Sequence, residues 1–269
     1  MARKQVTFPN AETDVKVAGG MPETAQTKAP AYRLAFNDPD FLCSDELRSI
    51  RIHLEMMKPE MILAERGIES TIVMFGGARI PDPVKKDEAR TKTLSDLSKY
   101  YEEARKFAHL VTLRSMESYG KQDVVVTGGG PGVMEAGNRG AAEAGGSSIA
   151  LNIVLPFEQA PNEYCTPELC FNFHYFATRK IHFLMRAKVV TAFPGGFGTL
   201  DELFETLTLI QTQRMKRVPI LLFGEKFWRS IINWETLAEA GTIAEDDLEL
   251  FKFVETAEEA IEAMDNWDA

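Results

Sequence analysis

Pro194-Gly195-Gly196-Phe197-Gly198-Thr199-Leu200-Asp201-Glu202 follows the apolar run at 189–193 and leads into a helix-like segment at 200–213, so it reads as a strand-to-helix turn. Three glycines in such a turn let backbone N–H groups close on an anion, and the positive end of the following helix dipole points at the same place. That geometry suits a phosphate. Thr199 adds a hydroxyl donor. Glu202, on the first helical turn, is a carboxylate beside an anion pocket, which phosphate binding alone does not require. A second glycine turn, Gly128-Gly129-Gly130-Pro131-Gly132, follows the run at 124–127, and a third, Gly76-Gly77-Ala78-Arg79, follows the run at 71–75.

Neither of these two turns supplies the GxGxxG dinucleotide fingerprint, and neither matches the Walker A pattern GxxxxGK[ST]. NAD binding and ATP hydrolysis are therefore demoted. A mononucleotide or a sugar phosphate fits better, because one turn can hold a phosphate while another approaches a ribose or base.

The elements that must position these turns alternate along the chain. Strands are expected at 71–75, 124–127, 148–155, 171–176, 188–193, 218–223 and 251–254. Helices are expected at 94–119, from Met134 to a stop at Gly145-Gly146, at 179–187, 200–213 and 227–238, and at 256–264 with a capping box on Thr256. The strands are apolar throughout, which indicates a parallel sheet buried on both faces. The fold class is α/β, a Rossmann-like doubly wound sheet with helices on both faces, and the three glycine turns fall where such sheets bind ligands.

Ahead of this domain, residues 1–30 read as a flexible arm and 31–70 as a helical extension, with Ser44 as N-cap of a helix that is broken at Pro59 and resumes through Met61, Ile62 and Ala64. The domain itself spans 71–269. Its helix carrying Phe183, Leu184 and Met185 is apolar enough for a subunit contact or for the core.

Composition narrows the partners. Thirty basic against 40 acidic residues give a net charge of −10, which argues against nucleic acid and anionic membranes and requires a local positive pocket for any phosphate. Cys43, Cys165 and Cys170 lack a metal-ligand spacing and read as reduced cytoplasmic thiols, so neither metal nor cofactor is expected. No run of about 18 apolar residues suggests a membrane span.

The run from Pro194 to Glu202 matches PGGxGTxxE, and Arg179-Lys180 lies about twenty residues upstream. With Thr127-Gly-Gly-Gly-Pro-Gly-Val-Met-Glu-Ala-Gly-Asn138, the chain resembles the LONELY GUY (LOG) family over residues 71–225, in the version of its longer bacterial members. These are cytokinin-activating nucleoside 5′-monophosphate phosphoribohydrolases, often labelled lysine decarboxylases without that activity. The resemblance implies a homodimer or higher homo-oligomer that cleaves AMP-like nucleotides to free base and ribose 5-phosphate. It places the catalytic roles on Arg179 and Glu202. Gly129, Gly130, Gly132, Lys180, Gly195, Gly196, Gly198 and Thr199 would hold phosphate or ribose, and Met134, Glu135 and Asn138 are candidate base or ribose contacts. Gly77 departs from the family, where many relatives carry serine.

Hydrolysis of an N-glycoside builds positive charge on C1′ and O4′, so a carboxylate there stabilises the transition state more than the ground state. Glu202 can do this, orient the attacking water, or grip ribose hydroxyls; the residues alone leave the three roles open. Arg179 stays protonated and so positions Glu202 and binds substrate. Arg79 reads as a surface charge, and His174 and His182 as packing residues. A non-catalytic carrier of nucleotide or molybdopterin-type cofactor is the alternative. A lysine decarboxylase ranks third, since nothing identifies a lysine that would anchor its cofactor.

Overall fold

Seven short runs rich in Val, Ile, Leu, Phe and Ala form strands, because β-branched and aromatic side chains suit a pleated surface packed on both sides. They are β1 (Thr71–Phe75), β2 (Val124–Thr127), β3 (Ile149–Ile153), β4 (Cys170–Phe173), β5 (Ala187–Ala192), β6 (Ile220–Phe223) and β7 (Lys252–Val254). The computed structural model describes residues 8–156 and 160–267. All neighbouring strands pair in parallel, in the order β4-β3-β2-β1-β5-β6-β7. The order reverses between β1 and β5, which puts the topological switch point, where sheets of this kind bind ligands, at the carboxyl ends of those two strands.

Helices fill the connections: α1 (Ala11–Gly19), α2 (Pro39–Leu42), α3 (Arg48–Glu65), α4 (Lys92–Asp96), α5 (Lys99–Glu117), α6 (Val133–Glu143), α7 (Phe176–Leu184), α8 (Phe197–Gln211), α9 (Glu225–Ile231), α10 (Trp234–Glu239) and α11 (Ala257–Asp265). Alternate strand residues point to opposite faces. Ile72, Met74 and Val125 pack with Tyr100, Phe107, Ala136 and Ala257, from α5, α6 and α11. Val73, Phe75 and Val126 pack with Leu63, Phe183, Leu203 and Trp228, from α3, α7, α8 and α9. Two apolar layers therefore sandwich the sheet, as the apolar runs of its central strands require.

The chain divides into two compact units, residues 1–55 and 56–269. In the first, the segment expected as an arm carries α1, whose residues are all at least partly exposed and whose cap is the Asn10 side chain accepting from Thr13 N–H at 2.8 Å. Ser44 is not a side-chain cap: it precedes a 3₁₀ turn, Asp45–Leu47, and its carbonyl is held by the Arg51 guanidinium. Helix α3 runs through Pro59 without a break. Among the described residues no helix is long and apolar enough to cross a membrane.

Several helix boundaries differ from the expected ones. The segment at 94–119 is two helices, α4 and α5, and that at 227–238 divides at Asn233, whose side chain caps α10 by accepting from Thr236 N–H at 3.2 Å. Helix α7 starts at Phe176 and α8 at Phe197, three residues earlier than expected in each case. On α11 Thr256 accepts from Glu259 N–H at 3.2 Å, but the Glu259 carboxylate accepts from Glu255 N–H rather than from Thr256, so the box is only half made.

Candidate functional site

The three glycine turns meet at the carboxyl edge of the sheet. Gly77 links them: its N–H donates to Pro194 O at 3.0 Å, and its carbonyl accepts from Val133 N–H at 3.3 Å. A Cβ on Gly77 would lie 3.0 Å from Pro194 O and 3.3 Å from Gly195 Cα, so the absent serine has a packing reason. Gly132 has φ +69° and would drive a Cβ into the carbonyls of Gly77 and Ala78. Only glycine accommodates both that conformation and that approach.

The glycines of the turn after β5 differ in role. A Cβ on Gly195 would collide with the Thr199 hydroxyl, which is buried under the turn. At Gly196 and Gly198 a Cβ would meet nothing within 4 Å, and both residues are exposed. Gly196 caps α8, accepting from Thr199 and Leu200 N–H at 3.0 Å each, and the first N–H groups of that helix have no intrahelical acceptor.

Glu202 lies one turn further along α8 and is only 6% exposed. Among the described residues its Oε2 has no hydrogen-bond partner. Burial pushes its pKa from 4.5 up to about 7; Lys180 and Arg179 pull it down, and Asp201 and Glu205 push it up. A buried carboxyl with an unsatisfied oxygen is costly, and one turn into the helix that follows a glycine turn it marks a functional candidate whose pKa is matched to proton transfer near neutrality.

Helix α7 presents the two basic residues. Arg179 Nε donates to Leu151 O, in the middle of β3, at 2.7 Å, and its guanidinium lies 5.3 Å from the centre of the Phe183 ring. A Cβ on Gly128 would come to 2.5 Å from Arg179 Nη2, so this arginine packs directly on the second glycine turn. Lys180, expected among the phosphate or ribose contacts, is instead clamped between Asp201 at 2.8 Å and Glu205 at 2.6 Å, and its side chain is only 16% exposed. Its charge is spent on carboxylates flanking Glu202 on α8.

The second turn rests on a buried polar network. Asn138, expected as a possible base or ribose contact, is fully buried: its Oδ1 accepts from Thr127 Oγ1 at 2.7 Å and Asn162 Nδ2 at 2.9 Å, and its Nδ2 donates to Ser148 Oγ at 2.9 Å. Its amide is engaged inside the protein and offers nothing to a ligand. Glu135 accepts from Tyr101 Oη at 2.7 Å, and Met134 lies against Gly128; both are half-buried at the start of α6. Gly129 and Gly130 are buried, with their carbonyls held by Asn162. Asn162 carried no sequence signal, because its partners lie 24 to 33 residues away. His182 is buried against the Phe173 ring, with Glu60 Oε1 at 3.5 Å from Nδ1, in the packing role expected of it.

Fold and site together define a Rossmann-like protein whose switch-point crevice gathers glycine turns, a helix amino terminus and a buried carboxyl. The LOG resemblance is borne out: residues 134–264 match the family model described as "Possible lysine decarboxylase", the label LOG proteins carry. That stretch takes in Arg179, Lys180 and the whole run from Pro194 to Glu202. Among solved structures the chain is similar to TM1055, a structural genomics target, at 22% identity over 73% of this chain and 98% of that one, with a TM-score of 0.48. It is similar to the molybdenum cofactor binding protein of the phototrophic bacterium Rippkaea orientalis, at 19% identity over 75% and 98%, with a TM-score of 0.47. The molybdenum cofactor carrier protein of Chlamydomonas reinhardtii follows at 18% over 73% and 96%, with a TM-score of 0.48. No curated protein matches the sequence.

Proposed function

We propose that the protein is an N-glycosyl hydrolase that cleaves nucleoside 5′-monophosphates, of the AMP or cytokinin riboside monophosphate type, to free base and ribose 5-phosphate. The observation that carries this reading is Glu202, a buried carboxyl with an unpartnered oxygen beside the open glycines of a phosphate-type turn. The 5′-phosphate is assigned to the backbone N–H groups at Gly196 and Gly198, at the positive end of α8. Ionised Glu202 faces the ribose, stabilises the positive charge that grows on C1′ as the C1′–N bond breaks, and takes the proton of the attacking water. The water oxygen bonds to C1′, the electron pair of the broken C1′–N bond leaves with the base, and the base nitrogen takes up a proton from solvent, to which Glu202 returns the one it accepted. Arg179 holds the second turn and biases Glu202 toward its ionised form.

The exposed apolar side chains of Phe176 and Ile181 on α7, of Met185 that caps it, and of Phe197 and Phe204 on α8, support a homodimer formed through these helices. Phe183 takes no part in that surface, being buried in the core. The three free cysteines fit a cytoplasmic enzyme.

The test is incubation of the full-length protein with a panel of purine and pyrimidine nucleoside 5′-monophosphates, with assay of free base and ribose 5-phosphate. Nucleotides are expected to react and nucleosides to react poorly. Glu202→Gln is expected to lower kcat about 10²- to 10⁴-fold, the usual worth of a positioned acid or base. Equal turnover of AMP and adenosine, or near-normal base release by Glu202→Gln, refutes the reading. Tight nucleotide binding without base release by the unaltered protein favours the carrier alternative.

A further inference from the structure

The stretch from Ala160 to Cys165 runs beneath the second glycine turn, and Asn162 is its anchor. The Asn162 backbone N–H donates to Gly129 O at 2.9 Å. Its side-chain Nδ2 lies 3.0 Å from Gly129 O, 3.0 Å from Gly130 O and 2.9 Å from Asn138 Oδ1. Its Oδ1 accepts from Tyr164 N–H at 3.2 Å, so the whole amide is committed. Cys165 adds a weak donor to the same group, with Sγ 3.6 Å from Asn138 Oδ1.

A carbonyl held on one side fixes its peptide plane. In a trans peptide the N–H of the next residue points opposite the C=O, and no peptide bond here is cis. Holding Gly129 O therefore turns the Gly130 N–H away from Asn162. The Gly129 N–H is already taken by Thr127 Oγ1 at 3.0 Å, whereas among the described residues the Gly130 N–H meets no acceptor although Gly130 is buried. A buried N–H without an acceptor is rare in a folded chain and marks a place for a ligand acceptor. Pro131 has no N–H, so the Gly130 amide is the donor this peptide pair can offer.

We infer that Asn162 is a positioning residue, which orients the Gly129–Gly130 peptide so that the Gly130 N–H meets a phosphate oxygen of the nucleotide. The inference rests on the proposed nucleotide site and adds to it a second backbone donor, from the glycine turn that Gly77 joins to the turn at Pro194.

The test uses the full-length protein labelled with ¹⁵N-glycine, titrated with AMP and with adenosine under conditions where turnover is slow or in the Glu202→Gln background. AMP is expected to shift the Gly130 amide along with those of Gly196 and Gly198, and adenosine is expected to leave Gly130 in place. By calorimetry, Asn162→Ala is expected to weaken AMP about tenfold or more while leaving adenosine affinity unchanged, the effect of misdirecting one hydrogen bond to a charged group. Asn162→Asp, which sets a carboxylate against three acceptor oxygens, is expected to weaken AMP further. A Gly130 amide unmoved by AMP while Gly196 and Gly198 shift overturns the role of Asn162 and leaves the phosphate turn standing. Equal loss of AMP and adenosine affinity in Asn162→Ala also overturns it. If none of the three amides responds to AMP, the nucleotide reading itself fails, and this inference fails with it.

Discussion

Replacing Glu202 by Gln tests the site without any substrate. The carboxyl is 6% exposed, has no partner for Oε2 among the described residues, and has its pKa raised from 4.5 to about 7, first by burial. In the unfolded chain it ionises near its ordinary value. Below about pH 4.5 it is protonated in both states. Between there and about pH 7 the unfolded chain ionises while the folded protein keeps its proton, so stability falls as pH rises. Above about pH 7 the folded protein carries the full cost of a buried charge. A displacement of that size is worth about 3 kcal/mol. Glutamine has the same shape and never ionises. Glu202→Gln should therefore match the parent protein near pH 4.5 and exceed it by about 3 kcal/mol at pH 8.5. In a unit of this size that corresponds to roughly 6–12 °C in unfolding midpoint. Urea unfolding of both proteins across pH 4.5–8.5 reads the difference directly. A gap that is the same at both ends, or one that favours glutamate at high pH, refutes the buried and unpaired state of Glu202.

Two substitutions probe its surroundings. Lys180→Met removes a cation that lowers the Glu202 pKa and leaves Asp201 and Glu205 uncompensated. If ionised Glu202 does the chemistry, the pH at which kcat/KM reaches half its plateau moves upward; a midpoint that is unmoved or lower contradicts the assignment. Gly196→Ala meets nothing within 4 Å, and φ at Gly196 is −99°, so folding stability should hold or rise by about 0.4–1 kcal/mol. Loss of affinity for AMP, but not for adenosine, is expected in binding titrations, and unchanged AMP affinity would remove Gly196 from the phosphate site.

All seven strands were legible as apolar runs, because a parallel sheet buried on both faces needs no alternation and leaves a strong signal. The helix breaks at 97–98 and at 232–233 were harder to see, though Asn233 followed three residues later by Thr236 has the spacing of a cap. What sequence could not carry was contact between distant segments. Asn138 had the residue type of a ligand contact, yet its helix turns that face toward Thr127, Ser148 and Asn162, and a chain with no partners assigned gives no sign of that. Lys180 looked free for a phosphate because its two carboxylates stand on another helix, although Asp201 and Glu205, four residues apart, already share one helical face.

The glycines of the central motif show where the limit lies. In sequence Gly195, Gly196 and Gly198 are equivalent invitations to an anion. The structure separates them, since Gly195 has a packing reason to lack a side chain and the other two have none. Negative φ at Gly196 removes the conformational reason there as well. A residue type with neither packing nor backbone to account for it is best explained by the molecule that must approach it. The same logic singles out the Glu202 oxygen and the Gly130 N–H. Each is a polar group of a buried residue for which no partner is found among the described residues, and a nucleotide carries both the acceptor and the developing charge to answer them.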